Sequence, residues 1–360
     1  MCVVKMIFYE DKQFSFWEIF NESNGTLIRS NVTGTKSNPF MRSFPELIDV
    51  GIMGHCDAGR KGVCKAVGVD CYQQGPSSSK ANMSWENYKS IIDEAKGKTF
   101  QIALGGAGDP NKHEDFEKIL RYTRENSIVP NMTTSGFNLS DRETYLIAEY
   151  CGAVAISYYS RLVNGKETNE QTLSSISRLK TLVPTNIHYV ISSTSIEEAI
   201  YRLENDVWPT GINAIVFLLY KPVGLGNIRR AIRKGERLKR FMKAALERKH
   251  SYRIGFDTCF TPILIDYMES FDMHSIDSCE AARFSMYIDS EMNAYPCSFD
   301  NQQGRYRVTL KDSCIQAVWN SPTFDSFRQR KNNCLNCSAY KLCNGGCGLE
   351  LGIDIGSNCI

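Results

Sequence analysis

Fourteen of the 360 residues are cysteine, and most of them fall into two groups. One group lies between residues 56 and 71, and the other crowds the last third of the chain. No secretory core segment is visible near the start, so we expect a cytoplasmic protein. Reducing conditions there oppose disulfides, which favours metal ligation as the reason for clustered cysteines.

Composition limits the class of protein. Hydrophobic residues make up 42% and charged residues 23% of the chain, which is typical of a globular protein. The net charge of +2 argues against a surface built to hold nucleic acid. A nucleic-acid partner is therefore not expected. The longest apolar run, residues 214–220, is far too short to span a membrane, so no membrane partner is expected either.

Between residues 44 and 221, short apolar runs alternate with amphipathic stretches, a pattern typical of βαβ units. Strands are predicted at Leu47–Met53, Phe100–Leu104, Ser127–Thr133, Ala153–Ser157, Ile187–Ser192 and Ala214–Leu219. Helices are predicted at Trp85–Lys96, His113–Asn126, Ser140–Tyr150, Glu170–Leu182 and Ser195–Leu203, with Ser84, Ser140 and Ser195 as N-caps. Right-handed crossovers would curl these units into an α/β fold, a partial (β/α)6 barrel of the TIM type.

Three regions follow from this pattern. Residues 1–43 form an N-terminal extension with a hairpin near Asn24-Gly25, residues 44–250 the barrel, and residues 251–360 a cysteine-rich domain. The segment from Asn227 to His250 is predicted as the last barrel helix and linker, and it carries ten Lys or Arg residues. A solvated face is the simpler interpretation of these charges, and contact with an acidic peptide or another polyanion is the alternative.

The first cysteine group, Cys56, Cys64 and Cys71, directly follows the first predicted barrel strand, at the end of the barrel where such folds place their chemistry. Three thiolates can hold a four-iron cluster and leave one iron open to a small molecule. Structural zinc is the alternative, with His55 as the fourth ligand.

The second group is denser. It consists of Cys334, Cys337, Cys343, Cys347 and Cys359, preceded by Cys259, Cys279, Cys297 and Cys314. Zinc ribbons use similar pairs, but the asymmetric spacing and the additional upstream cysteines favour iron-sulfur clusters. Isolated Cys2 and Cys151 need no chemistry, since a lone cysteine is commonly a small buried hydrophobe.

These motifs resemble radical S-adenosylmethionine enzymes with a C-terminal SPASM domain, a class that modifies peptides and proteins. The resemblance covers about residues 44 to 360, and its most specific part runs from Cys279 through the Tyr287–Cys297 turn to the final cysteines. The motifs Trp319-Asn320-Ser321, Phe324 and Phe327-Arg328 also resemble the helix that precedes the last cluster in the family. The chain departs from the family in two places: Met292 stands where the family usually has glycine, and the first three cysteines are spaced more widely.

The resemblance implies three [4Fe-4S] clusters. The radical-generating cluster would be held by Cys56, Cys64 and Cys71. A first auxiliary cluster would be held by Cys259, Cys279, Cys297 and Cys347, and a second by Cys334, Cys337, Cys343 and Cys359. Among these ligands Cys259 has a competitor in Cys314, because upstream cysteine placement varies in such proteins.

The resemblance also implies where S-adenosylmethionine binds. The stretch Leu104–Pro110 is similar to the family's Gly-Gly-Glu-Pro segment. The implied contacts are Gly105, Gly106, Asp109, Thr134, Ser135, Ser157 and Ser192 at strand ends, with Tyr72 beside the last cysteine of the loop. Ordinary turn chemistry is the simpler interpretation of these glycines and hydroxyls.

The function implied is cleavage of S-adenosylmethionine to a 5'-deoxyadenosyl radical that takes hydrogen from a peptide, as in the crosslinking or dehydrogenation of a ribosomally made peptide. An electron donor such as flavodoxin or ferredoxin, and a separate peptide-carrier protein, would be partners. Sulfatase maturation is the alternative, although Ser298 stands where that group has Asp and Asp300 lies nearby. A zinc-stabilised module that binds nucleic acid or peptide is the non-enzymatic alternative.

Overall fold

The computed structural model describes residues 6–32, 39–164, 166–270, 276–329, 340–349 and 351. Its strands are β1 (Met6–Asp11), β2 (Phe16–Asn21), β3 (Leu27–Asn31), β4 (Leu47–Met53), β5 (Gln101–Gly106), β6 (Val129–Thr134), β7 (Val154–Ser157), β8 (Leu162–Val163), β9 (Lys166–Glu167), β10 (Thr185–Ile191), β11 (Ala214–Leu219), β12 (Arg253–Phe256), β13 (Ser285–Ile288), β14 (Asn293–Tyr295) and β15 (Val308–Thr309). Its helices are α1 (Asp57–Arg60), α2 (Val63–Ala66), α3 (Trp85–Ala95), α4 (Phe116–Glu125), α5 (Asp141–Tyr150), α6 (Glu170–Leu179), α7 (Ile196–Asn205), α8 (Glu236–Leu246), α9 (Thr261–Leu264), α10 (Ile315–Trp319), α11 (Pro322–Arg328) and α12 (Tyr340–Cys343).

The central sheet has the order β12-β11-β10-β7-β6-β5-β4-β13-β14-β15. The six predicted barrel strands are β4, β5, β6, β7, β10 and β11, all parallel, with helices between them. The predicted α/β partial barrel is therefore confirmed. The sheet is also wider than predicted, because β12 pairs with β11 and β13 pairs with β4, both in parallel.

Successive side chains of β4 point alternately into the main hydrophobic core and toward the inner face of the sheet. Ile48, Val50 and Ile52 are fully buried in the main hydrophobic core, while Asp49 and Gly51 lie on the opposite face. The predicted caps at Ser84 and Ser140 accept backbone N–H groups, and Ser140 forms a capping box. Ser195 precedes α7 but does not cap it, since its hydroxyl donates to the carbonyl of Val190 at 2.7 Å.

The segment from Asn227 to His250, predicted as the last barrel helix and linker, is helical over only part of its length. A 3-10 turn, Ile228–Arg230, is followed by α8, which begins only at Glu236. Gly235 separates them with φ +148°, a backbone angle that side-chain-bearing residues rarely adopt. Several basic side chains of the segment form ion pairs with acidic neighbours, as Arg240 does with Glu204 of α7, which agrees with the solvated-face interpretation.

The N-terminal extension is a three-stranded antiparallel sheet, with the predicted hairpin between β2 and β3. Its fully buried face includes Phe20, which stacks on Phe100 at 5.2 Å between ring centroids. Glu18 is also fully buried and pairs with the equally buried Arg42 at 2.9 Å. A buried ion pair thus joins this sheet to the segment that leads into β4.

Within the part of the chain that the structure describes, no helix has the length and apolar character needed to cross a membrane.

We predict that Glu18→Gln lowers the free energy of unfolding by about 3–5 kcal/mol, because it leaves the buried guanidinium of Arg42 without its counter-charge. Urea unfolding of the metal-free protein would measure the change. The matched control is Glu10→Gln at an exposed position of the same sheet, which should leave the midpoint unchanged. Equal stability of the two variants would contradict the prediction.

Candidate functional site

The loop that follows β4 carries the first three cysteines. Cys56 is the N-cap of α1, Cys64 lies within α2, and Cys71 comes after that helix. The loop then turns back on itself, so that the backbone N–H of Cys56 donates to the carbonyl of Gly75 at 3.2 Å. Two short helices and this return contact bring the widely spaced cysteines into one region.

Backbone amides point at two of the sulfurs. The N–H of Gly59 donates to Cys56 Sγ at 3.2 Å, and the N–H of Gly75 donates to Cys71 Sγ at 3.4 Å. Burial, together with the charges of Cys56 and Cys71, raises the pKa of the Cys64 thiol to about 12. The three sulfurs are therefore close enough to interact electrostatically.

Among the described residues, no group of three or more His, Cys, Asp or Glu side chains is placed to hold one metal ion. His55, the candidate fourth zinc ligand, donates from Nδ1 to the carbonyl of Lys80 at 3.0 Å. This bond fixes the orientation of the imidazole ring next to Cys56.

Glycines allow the backbone to pack against the cysteine loop. A Cβ on Gly75 would lie 2.0 Å from the carbonyl oxygen of Ala107 and 2.9 Å from Cys56 Cβ. A Cβ on Gly108 would lie 2.4 Å from the carbonyl oxygen of His55. Both positions exclude any side chain, because the residues that follow β5 lie directly against the loop.

Residues that follow β11 hold Cys71, the last of the three cysteines in the loop after β4. Asp70 accepts the hydroxyl of Tyr220 at 2.6 Å and pairs with Arg230 at 2.8 Å. The N–H of Leu225 donates to the carbonyl of Cys71 at 3.0 Å. The segment after β11 thereby fixes the end of the cysteine loop.

The structure brings three of the predicted cofactor contacts together. Asp109 accepts the backbone N–H of Ser135 at 2.7 Å and also accepts its hydroxyl, while Thr134 donates to Asn111 at 2.9 Å. These bonds tie the ends of β5 and β6 to each other. Gly105 lies at the end of β5, and no heavy atom is within 4 Å of where its Cβ would be.

The remaining predicted contacts each have their own local environment. Gly106 adopts φ +117° against the backbone of Met53. Ser157 ends β7 and pairs in register with His188 of β10. Ser192 is 2% exposed, and its hydroxyl bonds to Thr194 and Ser195, each at 3.0 Å.

Tyr72 faces the C-terminal domain. Its ring lies 4.8 Å from that of Phe299, which is two residues after Cys297. Phe299 therefore joins the segment after Cys71 to the segment after Cys297. The pairing could not be predicted from sequence, because the two aromatic residues are more than two hundred positions apart.

Four cysteines of the C-terminal group lie near one another. Burial raises the pKa of Cys297 well above its usual range, and the charges of Cys279, Cys259 and Cys347 add to the effect. All four pack against the main hydrophobic core. Cys314, the competitor for the fourth position, is exposed at the N-cap of α10.

The second predicted auxiliary set lies mostly outside the described residues. Cys334, Cys337 and Cys359 belong to that part of the chain, and only Cys343 of the set is described. Cys343 is 8% exposed and packs beside Ile265. Cys151 lies in the main core at 6% exposure, as predicted for a small buried hydrophobe.

Two polar residues near the site were missed at the sequence level. Asp49 lies on the inner face of β4, and its register partner across the sheet is Tyr287 of β13. The hydroxyl of Tyr287 lies 2.2 Å from where a Cβ of Gly51 would be, so it occupies the same face. A carboxylate within the apolar run of a predicted strand was the signal that could have identified Asp49.

Met292 adopts a backbone conformation that glycine adopts most easily. It has φ +64° between β13 and β14, in the left-handed region. Asp289 supports the turn by accepting the N–H groups of Glu291 at 3.0 Å and Asn293 at 2.9 Å. The left-handed angle is consistent with the glycine that the resemblance places at this position.

Two cavities adjoin the cysteine loop. One of about 830 Å³ lies over Cys56 and is also lined by Asp109, Phe137 and Glu167. The other, of about 290 Å³, lies on the side of the C-terminal domain and is lined by Gln73, Tyr287, Asp289 and Asn301, among other residues. The larger cavity has the size usual for a cofactor site.

Comparison with known proteins supports the C-terminal assignment directly. Residues 279–344 match the SPASM family, described as an iron-sulfur cluster-binding domain. No curated protein matches the chain by sequence. The chain therefore has a SPASM domain in the region where the cysteine pattern predicted it.

Solved structures share the fold at low sequence identity. Streptococcus suis SuiB bound to S-adenosylmethionine is 15% identical with a TM-score of 0.68, and SuiB bound to precursor peptide SuiA is 15% identical with a TM-score of 0.69. Both alignments cover 96% of this chain and 95% of SuiB. Native anSMEcpe with bound AdoMet and Kp18Cys peptide is 15% identical with a TM-score of 0.61, covering 87% of this chain and 91% of that one. These matches confirm the predicted fold, an α/β partial barrel followed by a C-terminal SPASM domain.

We predict that Gly75→Ala prevents the cysteine loop from closing, because the new methyl group would collide with the carbonyl of Ala107. Iron content after anaerobic reconstitution should fall relative to the unmodified protein. Gly255→Ala is the matched control, since a Cβ there would meet its nearest neighbour at 3.6 Å. Equal iron in the two variants would show that the loop tolerates a side chain.

We predict that Asp49→Asn stabilises the protein increasingly as pH rises. Burial, with a smaller effect from Glu280, raises the pKa of Asp49 from 3.8 to about 7. Between those values the folded protein keeps a proton that the unfolded chain releases, so ionisation lowers stability as pH rises. The advantage of Asn should grow from about pH 4 to about pH 7 and then level off.

Urea unfolding of the metal-free protein across that pH range would measure this advantage. Asp312→Asn, at an exposed position, is the control that should show no such growth. A constant difference between Asp49→Asn and the unmodified protein would contradict the prediction.

Proposed function

We propose that this protein is a radical S-adenosylmethionine enzyme that abstracts hydrogen from a peptide, in the crosslinking or dehydrogenation of a ribosomally made precursor. The observation that carries the proposal is the grouping of Cys56, Cys64 and Cys71 in the loop after β4, where their sulfurs are close enough to interact electrostatically. The SPASM match at residues 279–344 supports a second iron-sulfur region in the same chain.

The three thiols would ligate the radical-generating [4Fe-4S] cluster. When bound, such a cluster offers one open iron to S-adenosylmethionine and supplies the electron that cleaves it to methionine and a 5'-deoxyadenosyl radical. Burial keeps the Cys64 thiol protonated at neutral pH, so the metal must displace that proton when it binds. The Gly59 and Gly75 N–H groups would then stabilise the charge on Cys56 and Cys71.

The larger cavity beside Cys56 is our candidate for the cofactor's amino acid and nucleoside. Asp109 lines it and presents a carboxylate suited to an ammonium group. Gly105 leaves space at the end of β5, where backbone carbonyls could accept further hydrogen bonds. Thr134, Ser135, Ser157, Ser192 and Tyr72 remain proposed contacts, and the buried hydroxyl of Ser192 would have to leave its present partners to become one.

Two auxiliary [4Fe-4S] clusters complete the proposal. Cys259, Cys279, Cys297 and Cys347 would hold the first, which the mutual electrostatic effects of these thiols support. Cys334, Cys337, Cys343 and Cys359 would hold the second. The exposed position of Cys314 favours Cys259 as the upstream ligand of the first cluster.

A peptide substrate is supported by the solved structures of similar fold that contain peptides, SuiB with SuiA and anSMEcpe with Kp18Cys peptide. The smaller cavity offers hydrogen-bonding groups from Gln73 and Asn301 for such a chain. We propose further that a flavodoxin or ferredoxin donates the electron, that a separate carrier delivers the peptide, and that the reaction is cytoplasmic.

Sulfatase maturation is the weaker candidate. Ser298 offers no carboxylate, and Asp300 is fully buried, where it accepts the N–H groups of Tyr306 at 2.8 Å and Arg305 at 3.2 Å. Asp300 therefore holds its own loop and is not directed at a substrate. These contacts favour maturation of a small peptide.

We predict that replacing Cys56, Cys64 or Cys71 by Ala abolishes 5'-deoxyadenosine formation, because each change removes one of three required thiolates. The assay is anaerobic incubation of reconstituted protein with S-adenosylmethionine and dithionite. Cys314→Ser is the control, since that exposed side chain serves only as a helix cap in the structure. The proposal fails if the three Ala variants still form the product, or if the reconstituted protein contains zinc in place of iron.

A further inference from the structure

Lys221 is a buried cation placed two residues after β11. It is 5% exposed, and its Nζ donates to Asp257 Oδ2 at 2.9 Å and to the carbonyl of Leu219 at 3.0 Å. Burying an ammonium group is costly even when it is paired. A buried lysine beside candidate metal ligands therefore needs a reason beyond packing.

The ammonium group faces the candidate auxiliary ligands. Its ion-pair partner Asp257 lies two residues before Cys259 in the chain, and a carboxylate at 2.9 Å favours the charged form of the lysine. Cys259 and Cys347, two of the four cysteines that we assign to the first auxiliary cluster, are close enough to interact with the ammonium group electrostatically.

Asp257 is held from the side of β11. Its Oδ2 accepts Lys221 Nζ at 2.9 Å and the backbone N–H of Leu219 at 3.3 Å. Removing the charge of Lys221 and removing the charge of Asp257 change the local electrostatic field in opposite directions.

The same lysine lies at the contact between the two cysteine groups. Its Nζ is 4.3 Å from the centre of the Phe299 ring, and that ring lies 4.8 Å from Tyr72, the residue after Cys71. Phe299 is itself two residues after Cys297. Lys221 therefore lies between the segment that follows Cys71 and the segment that follows Cys297.

We propose that Lys221 raises the reduction potential of the cluster held by Cys259, Cys279, Cys297 and Cys347, and so makes it the acceptor of the electron released when the substrate radical is oxidised. This inference rests on the proposed function. A reduced cluster carries one more negative charge, and a nearby buried cation stabilises that state. Lys221 is a positioning residue in this scheme, since it acts through the cluster and not on the substrate.

The electron balance is explicit. The substrate radical loses one electron and one proton when it forms a double bond or a crosslink, and the iron-sulfur cluster takes the electron. Raising its potential makes that transfer more favourable. The proton is released to solvent water.

The test is a redox titration, monitored by electron paramagnetic resonance, of the full-length reconstituted protein. Lys221→Met should move the midpoint of one auxiliary signal to a more negative potential and leave the signal that responds to S-adenosylmethionine unchanged. Lys221→Arg retains the charge and should stay near the unmodified value. Lys239→Met removes an exposed lysine from α8 and should shift nothing.

Asp257→Asn is a second variant for which the shift in midpoint potential should have the opposite sign. Removing the counter-charge of Lys221 should move the same midpoint to a more positive potential. This variant tests the proposal if Lys221→Met fails to retain its iron. The proposal is overturned if full iron content accompanies unchanged midpoints, or if both variants shift the midpoint in the same direction. The redox titration does not depend on cleavage of S-adenosylmethionine. If the unmodified protein forms no 5'-deoxyadenosine, that result counts against the proposed function and not against the role of Lys221.

Discussion

Close backbone contact between the loop after β4 and the residues after β5 is the constraint on which the site depends. The N–H of Ala107 donates to the carbonyl of Met53 at 2.8 Å, and Cys56 donates to Gly75 at 3.2 Å. Only glycine at positions 75 and 108 allows this approach. Because the backbone closes the loop, the wide spacing of the three cysteines does not keep their sulfurs apart.

The barrel and the C-terminal domain are joined in two places. On one edge, β13 continues the sheet beside β4 and brings Tyr287 over the inner face. Near the cysteine loop, Tyr72 and Phe299 are in contact, and Lys221 lies beside Phe299. The contact between Tyr72 and Phe299 therefore joins the cysteine loop after β4 to the segment that follows Cys297.

Long periodic segments were predictable, and short or context-dependent ones were not. The bounds of β4 and β11 agree with their apolar runs, and α5 begins at the predicted cap Ser140. The strands β12 and β13 have four residues each, too few for a clear alternation. The segment from residue 227 was predicted as helix and linker without a boundary between them, and the backbone angle of Gly235 sets the start of α8 at Glu236.

By itself, the sequence determined the chemistry available: many thiols, three of them after the first barrel strand, and a C-terminal pattern that the SPASM match supports. The order of strands along the chain also determined the α/β class. Only the tertiary structure decided which residues of distant elements lie side by side. Asp49 is paired in register with Tyr287, and Lys221 interacts electrostatically with Cys259 and Cys347. The reason is physical: local patterns record which face of an element is buried, whereas contacts between distant elements depend on how those faces pack together.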